Sequence, residues 1–262
     1  MKKLLTLGLL ALLYPVCAMA QNAFDGTWKI DTNQVQMSKK PDVIVLQNGR
    51  YDCKTCAPPI DIKADGQDQK VTGHPYFDMM AIEVVDDHTM KATQKKGGKV
   101  VSTSTTTVAP DGKTAHFEFT DSSNTNADPV SGKGDLKQVA KGPAGSHAIS
   151  GSWVTSDLAG FSDNGLLFTY KLDGSMLGMT TPTGQSYEAK TDGSEAPYKG
   201  DPGITSVTVK QMGKDTLVET DKRDGKVISV IKSTVGADGK TMNVVFDDKL
   251  RGQTMSFVAI KQ

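Results

Sequence analysis

The chain has 262 residues, of which 37% are hydrophobic, and its 30 lysines and arginines balance 30 aspartates and glutamates to a formal net charge of zero. That composition is the one of an ordinary globular protein. The lysines are scattered without a basic stripe, which excludes a nucleic-acid partner, and no apolar stretch after Ala20 reaches membrane-spanning length, so no transmembrane segment is expected in the mature chain.

Residues 1–20, MKKLLTLGLLALLYPVCAMA, combine a charged start, a short apolar run and an A-x-A end. This is the pattern of a cleaved secretory signal, which places the mature start at Gln21 and the protein in the periplasm or outside the cell as a soluble chain. Cys17 does not fit a lipid acceptor, because Tyr14 and Val16 stand where that site needs Leu and a small residue.

The mature chain opens on FDGTWKID, around Trp28, and then reaches RYDCKTCAPP at residues 50–59. Ala57 stands where haem attachment would need His, and Pro58 and Pro59 oppose the helix a thioredoxin-type cysteine needs. Two cysteines are also too few for a structural zinc site. In an exported protein the pair Cys53 and Cys56 is therefore expected as a disulfide that pins a turn ahead of the next strand.

From Ala64 the chain begins to repeat itself. ADGQDQKVTGHPYFD at Ala64 matches TDGSEAPYKGDPGIT at Thr191, and GKVVSTSTTTVAPDGKT at Gly98 matches GKVISVIKSTVGADGKT at Gly225, all at a constant offset of 127 residues. Within this stretch GHPYFD offers two readings: a ligand-mouth loop carrying His74, Tyr76 and Asp78, or a tight turn in which Gly sets a free φ and Pro a fixed one. Gly and Pro recur in GDPGIT while the side chains around them change, which favours the turn. Met79 and Met80 suit an adaptable cavity and ordinary core filling equally.

Beyond Met80, apolar residues alternate in Thr89–Lys95, Thr114–Asp121, Ile204–Met212 and Thr241–Asp248, so these are predicted strands, with Phe117 and Phe119 inward and His116 and Glu118 outward. Gly97-Gly98, Asp111-Gly112, Asp224-Gly225 and Asp238-Gly239 supply hairpin turns and make neighbouring strands antiparallel. The stretch from Asp121 to His147 is rich in Ser, Asn, Gly and Pro and reads as a connector; ISGSWVTS, around Trp153, then opens the second half as FDGTWKID opens the first. The expected organisation is a signal peptide at 1–20, a first repeat at 21–122, a linker at 123–147 and a second repeat at 148–262.

Frequent Gly, Thr and Val oppose helices throughout. Seven to nine short strands per half suit an all-β fold of two tandem antiparallel up-and-down barrels, with β-sandwiches as the alternative. The G-x-W of FDGTWKID, repeated at Gly151 and Trp153, resembles the first strand of lipocalins and fatty-acid-binding proteins. That resemblance implies a tryptophan across the closed end of an up-and-down barrel, so Trp28 and Trp153 are expected as barrel-end core. The ADG…GxP…DGKT pattern is similar to that of uncharacterised exported bacterial proteins.

No catalytic constellation emerges. His74, His88, His116 and His147 are scattered, no G-x-S-x-G elbow is present, and Asp61, Asp65 and Asp68 lack calcium-loop spacing. Neither a cofactor nor a metal site is expected. The function expected is an exported binding protein that holds a small hydrophobic molecule or lipid in one or both barrels, without catalysis. The alternative is a structural or protein-interaction module of the cell envelope with filled barrels.

Overall fold

The computed structural model describes residues 22–123 and 128–262, so the secretory signal expected at 1–20 lies outside the described residues. The described residues form twenty strands and one 3-10 turn, Asp163–Gly165, arranged as two ten-stranded antiparallel sheets, one a closed barrel and the other nearly closed. The tandem-barrel expectation therefore holds. The strand number exceeds it because β3 and β10, defined below, lie in segments read as turn and connector.

The first strand, β1 (Gly26–Gln36), belongs to the closed barrel. The nearly closed N-terminal sheet consists of β2 (Asp42–Gln47), β3 (Arg50–Cys53), β4 (Ile60–Lys63), β5 (Gln69–Lys70), β6 (Met79–Val84), β7 (Thr89–Lys96), β8 (Lys99–Val108), β9 (Thr114–Asp121), β10 (Val130–Lys141) and β11 (Gly151–Ala159). The closed C-terminal barrel continues with β12 (Leu167–Asp173), β13 (Met176–Thr180), β14 (Ser186–Lys190), β15 (Asp192–Lys199), β16 (Ser206–Gln211), β17 (Thr216–Arg223), β18 (Lys226–Val235), β19 (Thr241–Asp248) and β20 (Gln253–Lys261).

Local chemistry accounts for the hairpins. In β16, Val207 and Val209 are fully buried while Ser206, Thr208 and Lys210 are more exposed, the alternation a pleated strand imposes. Between β17 and β18, Asp224 and Gly225 both take positive φ, 50° and 77°, as a tight two-residue turn requires.

The two opening strands are exchanged between the sheets. β1 inserts between β12 and β20, with Trp28 opposite Phe168 and Lys261, while β11 inserts between β10 and β2, with Trp153 opposite Gln138 and Asp42. The closed barrel is thus not a contiguous piece of chain, whereas the other sheet runs unbroken from β2 to β11, and the sheet boundaries do not follow the division into 21–122 and 148–262. Each indole is buried, and each Nε1 donates 2.8 Å to the carbonyl four residues earlier, Phe24 for Trp28 and Ile149 for Trp153. Burying an aromatic of this size with its one donor satisfied makes each opening strand a strong anchor, here for the sheet built by the other half.

Strand β10 corrects the linker expected at 123–147. Its inner face carries Gly132 and Gly134 opposite Phe119 and Phe117, so the stretch lacks hydrophobic periodicity although it is a strand of twelve residues. A Cβ on Gly132 would stand 2.8 Å from the Phe119 ring: the neighbouring strand supplies the apolar side chains that these positions omit. Phe117 and Phe119 share the inner parity with buried Ala115, as expected.

Candidate functional site

A cavity of about 450 Å³ lies between the inner face of the N-terminal sheet and the closed barrel. Its apolar wall comes from Tyr51 of β3, Ile60 of β4, Met80 of β6, and Met90 and Ala92 of β7, all inward by strand alternation. Gln94 continues the inner face of β7, and Thr106 and Ser104 stand opposite Met90 and Ala92 on β8. An apolar chamber of this size with a few polar groups suits a small amphipathic molecule.

Three segments border the chamber. The first is the Cys53–Cys56 loop, closed by the disulfide as expected, with Cys53 buried and Cys56 and Ala57 on the lining. The second is the GHPYFD loop. Its Gly73 packs so closely on Pro58 that a Cβ there would stand 2.9 Å from the Pro58 ring, so the disulfide loop and the GHPYFD loop support one another. The third comes from the closed barrel, which contributes Arg223, Asp248, Leu250 and Arg251.

Of the expected mouth residues, His74 and Tyr76 face the cavity, and Asp78 does not. The Asp78 carboxylate instead accepts the Gly97 amide at 3.0 Å and fixes the hairpin between β7 and β8. His74 stacks on Phe77 with centroids 4.7 Å apart, and burial together with the Arg223 charge holds its pKa below the ordinary range. The Tyr76 hydroxyl donates to Asp201 of the closed barrel at 3.0 Å, and burial followed by that carboxylate raises its pKa. Burial also pushes the Tyr51 phenol up to about 12, helped by Asp42 and Asp52.

Positive φ at Gly73 and Gly200, 79° and 80°, supports the turn reading of both G-x-P segments, yet the same segments meet in space. Gly203 lies against Tyr76, and its Cβ would come within 2.2 Å of Tyr76 Oη. Below this contact, Arg223 Nε donates to the Gly203 carbonyl at 2.7 Å, Arg251 pairs with Asp42, and Lys40 reaches the Arg251 carbonyl. The cavity is consequently shared between both sheets. Its closed-barrel residues carry no local motif by which sequence inspection could have found them.

The interior of the closed barrel differs. At the 127-residue offset, Ala92 and Gln94 correspond to Glu219 and Asp221 of β17, both buried. Tyr187 donates to Glu219 Oε2 at 2.5 Å and Ser229 to Asp221 Oδ2 at 2.7 Å. Burial first, and then the neighbouring Asp221, raises the Glu219 pKa well above the carboxylate range, and burial raises Asp221 as well. Burial thus favours the neutral form of Glu219. With Tyr170 and Tyr187 also buried, long polar side chains occupy the space that Ala92 leaves open in the other sheet.

The remaining histidines make local contacts. His88 and His147 bond backbone carbonyls, of Val108 at 3.1 Å and Asp86 at 2.7 Å, while exposed His116 lies between Asp135 and Glu118, and its bond to Asp135 raises its pKa. Among the described residues no three His, Cys, Asp or Glu side chains are grouped to hold a metal ion, and no helix is long and apolar enough to cross a membrane. No protein-family model matches the chain, and no curated protein matches it in sequence.

Proposed function

We propose that this is an exported binding protein, without catalysis of its own, that holds one small apolar or amphipathic molecule inside its N-terminal, lipocalin-like barrel. The observation that carries this reading is the chamber of about 450 Å³ walled by Tyr51, Ile60, Met80, Met90 and Ala92. Export rests on the signal pattern at 1–20 and agrees with a disulfide at Cys53–Cys56, a bond that persists in oxidising compartments. The closed barrel, filled by Glu219, Tyr170 and Tyr187, serves as the partner that completes the chamber wall.

The reading is tested by titrating the full chain with 1-anilinonaphthalene-8-sulfonate. One molecule is expected to bind per chain, with transfer of excitation from the buried Trp153, which belongs to the same core as the chamber wall. Ala92→Phe places a ring in the chamber and should weaken binding at least about tenfold while circular dichroism stays unchanged. No saturable binding by the wild type, or full binding by Ala92→Phe, would falsify the proposal and favour the envelope-structural alternative.

A further inference from the structure

A second cavity, of about 430 Å³, adjoins the first and is lined by Tyr76, Phe119, Asp121, Ser123, Val130 and Thr183. Tyr76 lines both cavities. The two also share a wall across one strand pair, because Ser104 of β8 borders the first while Phe119, directly opposite on β9, borders the second. Phe119 is held in place by Phe117, with ring centroids 6.4 Å apart, by Phe161 at 5.5 Å and by Gly132 beneath it.

Tyr76 has a different attachment. Its ring packs against the core of the N-terminal sheet, while its hydroxyl reaches the other barrel, donating to Asp201 and resting on Gly203. Asp201 is itself oriented by the Gly203 amide at 2.6 Å, so the acceptor is set before the hydroxyl arrives. The loop around Tyr76 is anchored independently, by Gly73 against Pro58, by buried Phe77 and by the Asp78 carboxylate on Gly97. The loop's anchors thus do not depend on the bond from Tyr76 to Asp201.

We infer that Tyr76 is a gate between two compartments of one binding site, and that the ligand is an elongated amphipathic chain molecule rather than a compact one. The inference rests on the N-terminal barrel being the binding site. The apolar tail occupies the compartment of Met80 and Met90, and a neutral polar end that donates hydrogen bonds meets Asp121, Ser123 and Thr183. An anionic end is disfavoured there by the Asp121 carboxylate. With Tyr76 on Asp201 a chain in the first compartment stops at the tyrosine; with Tyr76 swung away, a longer chain extends into the second.

The test compares octanol and dodecanol as displacers of 1-anilinonaphthalene-8-sulfonate from the wild type and from Tyr76→Ala. Removing the gate should raise the preference for dodecanol over octanol by about tenfold relative to the wild type, since additional methylenes become buried without moving a side chain. Equal preference in both proteins overturns the gate while leaving the binding reading intact. Failure of both alcohols to bind the wild type removes the binding reading itself. Should Tyr76→Ala lose its fold, Tyr76→Phe keeps the ring without its bond to Asp201, and dodecanol should then associate several-fold faster than with the wild type; an unchanged rate overturns the inference.

Discussion

Glu219 and Asp221 show what two residues at inner positions can decide. Both point into the closed barrel, and burial, followed by the neighbouring Asp221, raises the Glu219 pKa well above the ordinary carboxylate value. As pH rises above the ordinary carboxylate range, near about 4.3, the unfolded chain releases that proton while the folded chain keeps it. The unfolded state then binds fewer protons, so this site makes stability fall with rising pH, by at most about 1.4 kcal/mol per pH unit. Glu219→Gln keeps an acceptor for Tyr187 and has no proton to lose. Urea midpoints measured from about pH 5 to about pH 9 should fall less steeply in the variant, which should be the more stable protein at the upper end; identical slopes would remove Glu219 from the account. In the sequence these residues are visible only as a defect: the alternation through Leu217 places carboxylates where apolar side chains are due. That the face of β17 carrying both lines the inside of a closed barrel depends on strands far away in the chain.

At the scale of the element, the Cys53–Cys56 clip was legible and its neighbourhood was not. The C-x-x-C spacing points to the disulfide; its packing beside the chamber depends on Pro58 meeting Gly73 from another strand connection. Replacing both cysteines by Ser should lower stability by about 2 kcal/mol on the loop-entropy relation and leave the fold intact. It should also weaken binding of the fluorescent probe, because the loop that bears Tyr76 loses its support. Urea unfolding and probe titration of the double variant check both effects, and loss of the native circular dichroism would contradict them. Strand β10 is the opposite case: Gly132 and Gly134 hide a strand of twelve residues from any reading by hydrophobic period. The pattern that identifies it is divided between two strands, with the phenylalanines on β9 and the space for them on β10.

Exchange of the opening strands governs the whole molecule. Trp28, near the start of the described chain, is buried in the closed C-terminal barrel, with Lys261 5.1 Å above its ring. Trp28→Ala should destabilise that barrel by about 3–5 kcal/mol, the usual range for removing a buried aromatic. Hydrogen exchange followed by mass spectrometry should place the loss of protection in β12 and β20, which flank β1, and only weakly in β2–β4. Loss centred on β2–β4 would mean that the exchange does not hold in solution. The two sheets are thereby interdependent, since the loss of either opening strand damages the sheet built by the other half.

Alternation in the β strands, the turn dipeptides and the cysteine pair follow from residues close together in the chain, and with the 127-residue offset they determined an all-β molecule of two repeated antiparallel halves with a local disulfide, leaving barrel or sandwich open. The tertiary structure alone decided which sheet each G-x-W strand joins, which barrel keeps a cavity, and that Tyr76 reaches Asp201. The two opening strands are alike enough that local preference cannot assign them. Their placement depends on which partners, more than a hundred residues away, bury each tryptophan, and the cavity depends on whether Ala92 or Glu219 stands on the inner face of its sheet.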